Sequence, residues 1–327
     1  MRKTGKALLF ILCFSPAFTA STGDLCALDL SGLAGDENLV SAVPDTARPG
    51  YLASIVDPVF GTTVTRITDR SLGGGSIVPA YSKVQPWNAD GTRMLLYAPG
   101  GGHVLLDGRT FEYLGTVSLP FDELEEAWWH PENPDLVYGP SGNSLVSFNV
   151  DTGETSVLRA FPEYDGITTQ SEGNLSIDFS MGAFMGAGPD EIFAYDIAGD
   201  VKHAAASAGA GDWVSISALG NFIVVNGSGT DVFDIEMNLL RSLDVAEHAD
   251  LAAGADGGDL YVTVNFDTAG GNGNAAIMRY DLATGAPLIL LQPEAYTFSG
   301  THISCRNALP EARGYCFAST EGSAGVG

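Results

Sequence analysis

Short runs rich in Val, Ile, Tyr and Phe recur along this chain, each bounded by Gly, Asp, Asn or Pro. No long stretch carries the apolar spacing of an amphipathic helix, so the pattern predicts strands throughout. One phrase returns five times: a strand ending in Asp or Asn, a turn, and another strand. It occurs around Asp107-Gly108, Asp151-Thr152-Gly153, Asp196, Asp234 and Asp281, with copies roughly 38 to 47 residues apart.

That period is the size of a four-stranded blade, and it predicts an all-β chain folded as a β-propeller. The expected architecture is the seven-bladed type with about six blades visible. The inner strands are predicted over residues 81–87, 125–130, 171–176, 212–216, 247–251 and 299–304. Turns follow at 88–91, 131–135, 178–180, 219–221, 255–258 and 309–313. The sixth unit has only a second strand before a Gly-rich end. Either the N-terminal segment supplies missing strands, or the sequence is a fragment of a longer propeller, since an open sheet edge invites association.

The domain reading is a signal peptide over 1–20, an N-terminal arm over 21–56, and the propeller over 57–327. Arg2, Lys3 and Lys6 precede an apolar run and a small-residue site ending at Ala20, which predicts export and cleavage there. The run is too short to span a bilayer. Cys13 follows Leu12 rather than a small residue, so no lipid anchor is expected. Secretion or a periplasmic location follows, and with it a disulfide-permissive compartment. Cys305 and Cys316 flank a predicted hairpin and are either bonded or buried thiols; Cys26 has no evident partner.

The 327-residue chain holds 40 acidic and 15 basic residues, a net charge of −25. Such a surface repels nucleic acid and anionic membranes. A soluble monomer with no membrane insertion is expected.

Polar side chains fall in one register on the predicted inner strands: Lys83 and Gln85; Glu126, Trp128 and His130; Glu172, Asn174 and Ser176; Asp212 and Ser215; His248 and Asp250; His302, Ser304 and Arg306. Residues two apart share a face of a strand, so His248 with Asp250, and His302 with Arg306, would meet at one mouth of the channel. Inner strands are also polar for structural reasons, because Ser and Asp tie blades together by hydrogen bonds. No nucleophile elbow, zincin motif or paired-cysteine zinc motif is present. Residues 256–259 and 267–274 offer oxygen ligands in Gly-rich turns, where calcium or an ordinary turn are the alternatives. No residue is assigned to a metal.

The segments 81–91, 129–135, 172–176, 248–250 and 300–307 resemble inner strands of secreted bacterial propellers built on the TolB-type repeat. The same segments are distantly similar to oligogalacturonide and ulvan lyases, which cleave uronic-acid polysaccharides by β-elimination. The resemblance implies a polysaccharide or oligosaccharide partner. It also implies a base, an acid and a group that neutralises the uronate carboxylate. On that basis His248 or His302 is the expected base, Arg306 or Gln85 the carboxylate holder, and Tyr81 the acid. Lys83, Gln85, Trp128, His130, Glu172, Asn174 and Asp250 are expected to bind substrate. A divalent cation such as calcium or manganese is the cofactor that the resemblance would imply. The alternative function is a non-catalytic propeller that binds glycans or proteins as a scaffold.

Overall fold

A computed structural model describes residues 7–8, 47–58, 61–73, 75–98, 102–207, 211–245, 248–265, 276–291, 298–305 and 316–322. The chain is an all-β propeller. Four sheets of four antiparallel strands succeed one another, spanning residues 128–160, 166–206, 213–243 and 249–291. They are the second to fifth blades. The first blade has three strands, Arg93–Ala98, Gly102–Asp107 and Tyr113–Val117, and its innermost segment touches them only at the bridges Val78 to Tyr97 and Trp87 to Met94. A sixth unit pairs Phe298–Ser304 with Phe317–Gly322, and Ala7–Leu8 adds to its edge. The described residues form five blades and part of a sixth, where about six blades of a seven-bladed type were expected; a seventh is not seen among them.

The recurring phrase has a local cause. Each third strand ends on a side chain whose oxygen caps the next turn. Asp107 Oδ1 accepts the amides of Arg109 and Thr110 at 2.8 and 2.7 Å. Asn149 does the same for Asp151 and Thr152, Asp196 for Gly199, Asp234 for Glu236 and Asn238, and Asp281 for Thr284. Such a turn competes well with continued strand. In the second blade the capping residue is Asn149 rather than Asp151, and Gly153 takes the left-handed φ of 74° that closes the turn.

The middle strands are buried on both faces. Ser144–Asn149 and Glu191–Asp196 have four consecutive buried residues each, whereas the outermost Thr155–Ala160 is largely exposed. The reason is the packing of blade on blade. Trp128, Leu145, Phe161, Phe184 and Phe193 fill the wall between the second and third blades, and Trp213, Val232, Leu251 and Tyr261 that between the fourth and fifth. Each fully buried side chain of this size contributes about 1.5–3 kcal/mol.

Polar ties also join neighbouring blades. Trp129 Nε1 donates to Pro86 O at 3.0 Å, and Asn174 N to Ser215 Oγ at 3.0 Å. Asp259 accepts Leu219 N at 2.7 Å and Asn221 Nδ2 at 2.9 Å. Of the two alternatives for residues 256–259, the structure shows the ordinary turn, with Asp259 tying the fifth blade to the fourth. The 267–274 insert lies outside the described residues, as do Cys26, Arg306 and all of the predicted signal peptide except Ala7–Leu8. Cys305 and Cys316 are joined as a disulfide. No helix among the described residues is long and apolar enough to cross a membrane.

Candidate functional site at the hub of the ring

The segment expected to be the first inner strand, 81–87, is instead a set of turns, and Val84 N donates to Tyr81 O. Pro86 and the bridge at Trp87 hold its far end. Freed from its own sheet, the segment sends Lys83 to three other blades. Lys83 Nζ donates to Ala249 O of the fifth blade at 3.0 Å and pairs with Glu172 Oε2 of the third at 2.9 Å. It also lies 4.4 Å from the ring centroid of Trp213 in the fourth. A first-blade residue that touches all three runs through the middle of the ring. Lys83 is only 4% exposed, and its charge is tolerated there because an opposite charge, a carbonyl and an aromatic face surround it.

Tyr81 and the two histidines complete the cluster. The Tyr81 and His302 rings are 5.7 Å apart, edge to face, and the His302 and His248 rings are 4.7 Å apart. His248 is exposed at the beginning of the fifth inner strand, so the cluster opens to solvent on that side. Burial, reinforced by the charge of Glu172 and a hydrogen bond to it, pushes the Tyr81 phenol up to about 12. Tyr81 is therefore a protonated hydroxyl at neutral pH, able to donate a proton and unsuited to accept one.

Of the residues expected at the site, the structure brings together Tyr81, Lys83, Glu172, His248 and His302. Others have different work. Asp250 is buried and accepts Leu251 N at 2.8 Å and Cys305 N at 2.7 Å, so it fastens the fifth blade to the sixth and does not share an open face with His248. His130 accepts the amides of Glu132 and Asn133 on Nδ1 and packs against Tyr138 and Phe179, as a turn cap. Burial lowers its pKa, which suits an acceptor nitrogen. Trp128 is a core residue with its Nε1 on Gly173 O. Gln85 accepts Trp87 N within the local turn, and Asn174 is buried where its backbone meets Ser215. Arg306 lies outside the described residues.

One participant escaped the sequence reading: Trp213 opens the fourth inner strand, and its aromatic type in a polar register was the available signal.

No family model and no curated protein matches this sequence. Solved structures do. An oligogalacturonate lyase in complex with manganese is similar over 79% of this chain and 75% of that one, at 15% identity and a TM-score of 0.55. An oligogalacturonate lyase from Vibrio parahaemolyticus is similar over 77% and 74%, at 14% identity and a TM-score of 0.52. Likeness at this level establishes the propeller fold. As for manganese, His248 and His302 supply two neighbouring imidazoles, but no group of three or more His, Cys, Asp or Glu side chains converges among the described residues. These residues do not make up a metal centre.

Proposed function

We propose that the protein is an exported propeller that cleaves a uronate-containing glycan by β-elimination at the hub cluster. The observation that supports this reading is the placement of His302 next to Tyr81 and His248 at 5.7 and 4.7 Å, with the ammonium of Lys83 5.9 Å from the Tyr81 ring. In β-elimination the C5–H bond breaks, its electrons form the C4–C5 double bond, and the C4–O bond breaks. His302 takes the C5 proton, with His248 beside it on the solvent side. Tyr81, held protonated, delivers its proton to the departing oxygen. Lys83 lies against the uronate carboxylate and lowers the cost of the charge that develops on it. Glu172 competes for the same ammonium, so substrate has to share Lys83 with it.

That competition favours a second reading, in which the charge of Lys83 is spent within the protein and the hub binds glycan without cleaving it. One experiment separates the two. Ultraviolet absorbance is followed while the protein meets pectic, alginate, ulvan and glycosaminoglycan substrates, each with calcium, manganese or chelator. Rising absorbance from a new C=C bond conjugated to the carboxylate establishes a lyase. A flat trace from folded protein that still binds one of the glycans by calorimetry establishes the binding module.

A further inference from the structure

We propose that Glu126 is a positioning residue: from inside the wall between the second and third blades it shapes the turn at 168–171 so that Glu172 meets Lys83 and Tyr81. The functional weight of this proposal rests on the hub being the working site, while the geometry stands apart from it.

Glu126 is completely buried. Its Oε1 accepts from Thr168 Oγ1 at 2.8 Å, from Thr169 Oγ1 at 2.6 Å, from Ser171 N at 3.2 Å and from Thr169 N. Thr168 Oγ1 in turn accepts Gln170 N at 2.8 Å. These donors converge on a turn that is unfavourable by itself. Gln170 and Ser171 both have left-handed backbones, with φ of 58° and 70°, and neither is Gly. The other side of the turn is equally constrained. A Cβ on Gly173 would collide with Val214 O and Thr169 Cβ, and Gly173 O receives the indole N–H of Trp128. Glu172 stands between these two anchors. Its carboxylate leaves the turn directly toward Lys83, and its charge and hydrogen bond act on Tyr81. Glu126 bonds Thr168, Thr169 and Ser171, the residues that lead directly into Glu172.

The test reads Lys83 itself. The full chain is treated with an amine-acylating reagent near neutral pH, and labelling is quantified by peptide mass spectrometry. Lys202, paired with Glu163 on an outer strand, is the internal reference. Glu172→Gln should raise labelling of Lys83 about fivefold, the effect of losing one modest interaction. Glu126→Ala should raise it to a similar extent, the double variant no further, and Lys202 should not change. Glu126→Gln, which keeps an acceptor oxygen in place, should restore protection. Protected Lys83 in a folded Glu126→Ala variant overturns the proposal. If Glu126→Ala does not fold, Thr169→Val decides. It removes one donor at nearly constant volume, and a smaller rise confined to Lys83 supports the proposal, while no rise overturns it. No glycan enters this experiment, so an inactive or non-lyase protein leaves its outcome intact.

Discussion

Lys83 and Glu172 meet at 2.9 Å although they belong to the first and third blades. The pair is asymmetric: Lys83 is buried, while the Glu172 side chain is 31% exposed. Lys83→Met should therefore destabilise the protein by about 2 kcal/mol, less than loss of one partner from a fully buried pair. Adding Glu172→Gln should recover most of that loss. Urea unfolding of the two single variants and the double variant measures the coupling, and purely additive losses would show that the two residues do not act as a pair.

His302→Ala should abolish turnover of any glycan that the protein cleaves and leave the melting temperature nearly unchanged, because His302 is not among the buried core. Tyr81→Phe should lower kcat with a smaller effect on KM, since it removes the donated proton and keeps the ring against His302. A large drop in melting temperature for either variant would assign that residue to the core instead.

Acid should loosen the outer turns first. The carboxyls of Asp107, Asp234 and Asp281 sit below the ordinary carboxylate range because they accept turn amides and side-chain donors. Their stabilisation is fully present above the unfolded-state pKa and is lost as pH falls through the lower, folded-state value. Replacing all three by Asn, the residue already used at position 149, should flatten the acid limb of stability against pH. Circular dichroism of acid unfolding checks this, and an unchanged acid limb would remove these turns as its cause.

Glu126 has the opposite sign. Burial raises its pKa, in spite of the donors around Oε1, so the folded state binds its proton more tightly than the unfolded chain does. Its favourable contribution is present below the unfolded-state pKa and is lost as pH rises through the folded-state value. Glu126→Gln stays neutral throughout. The melting temperature of this variant relative to wild type should therefore climb as pH rises above the usual glutamate range. A difference that is constant with pH would mean that Glu126 does not titrate in the folded protein.

Reduction of Cys305–Cys316 should cost roughly 3 kcal/mol, the chain-entropy value for residues so close in sequence. The disulfide lies next to Ser304 on the strand that carries His302, so reduction should also broaden the His302 imidazole signals in an NMR spectrum. Unchanged melting and unchanged signals with reductant would show the cross-link to be idle.

Which of these features could be read from sequence follows from how local their causes are. The blade repeat was legible because Asp107, Asn149, Asp234 and Asp281 act on amides within a few residues of themselves. The pairing of His248 with His302 was legible too, since two neighbouring inner strands in equivalent register must bring like positions together. Asp250 was misread because its partner, the amide of Cys305, is 55 residues away. His130 was misread because a turn cap and a ligand use the same imidazole. The crossing of Lys83 left no periodic trace at all. Residues 81–87 sit where the repeat places an inner strand, and the partners of Lys83, namely Ala249, Glu172 and Trp213, are far away in sequence.

Blade arrays ordinarily behave as nearly one-dimensional systems, each repeat answering only to its neighbours. The bond from Lys83 to Ala249 joins residues 166 positions apart and passes over the blades between them. Contacts of such separation form late, after much loop entropy has been surrendered. This chain should therefore unfold as one cooperative unit from the first blade to the fifth, where an unbraced array would fray blade by blade from its ends.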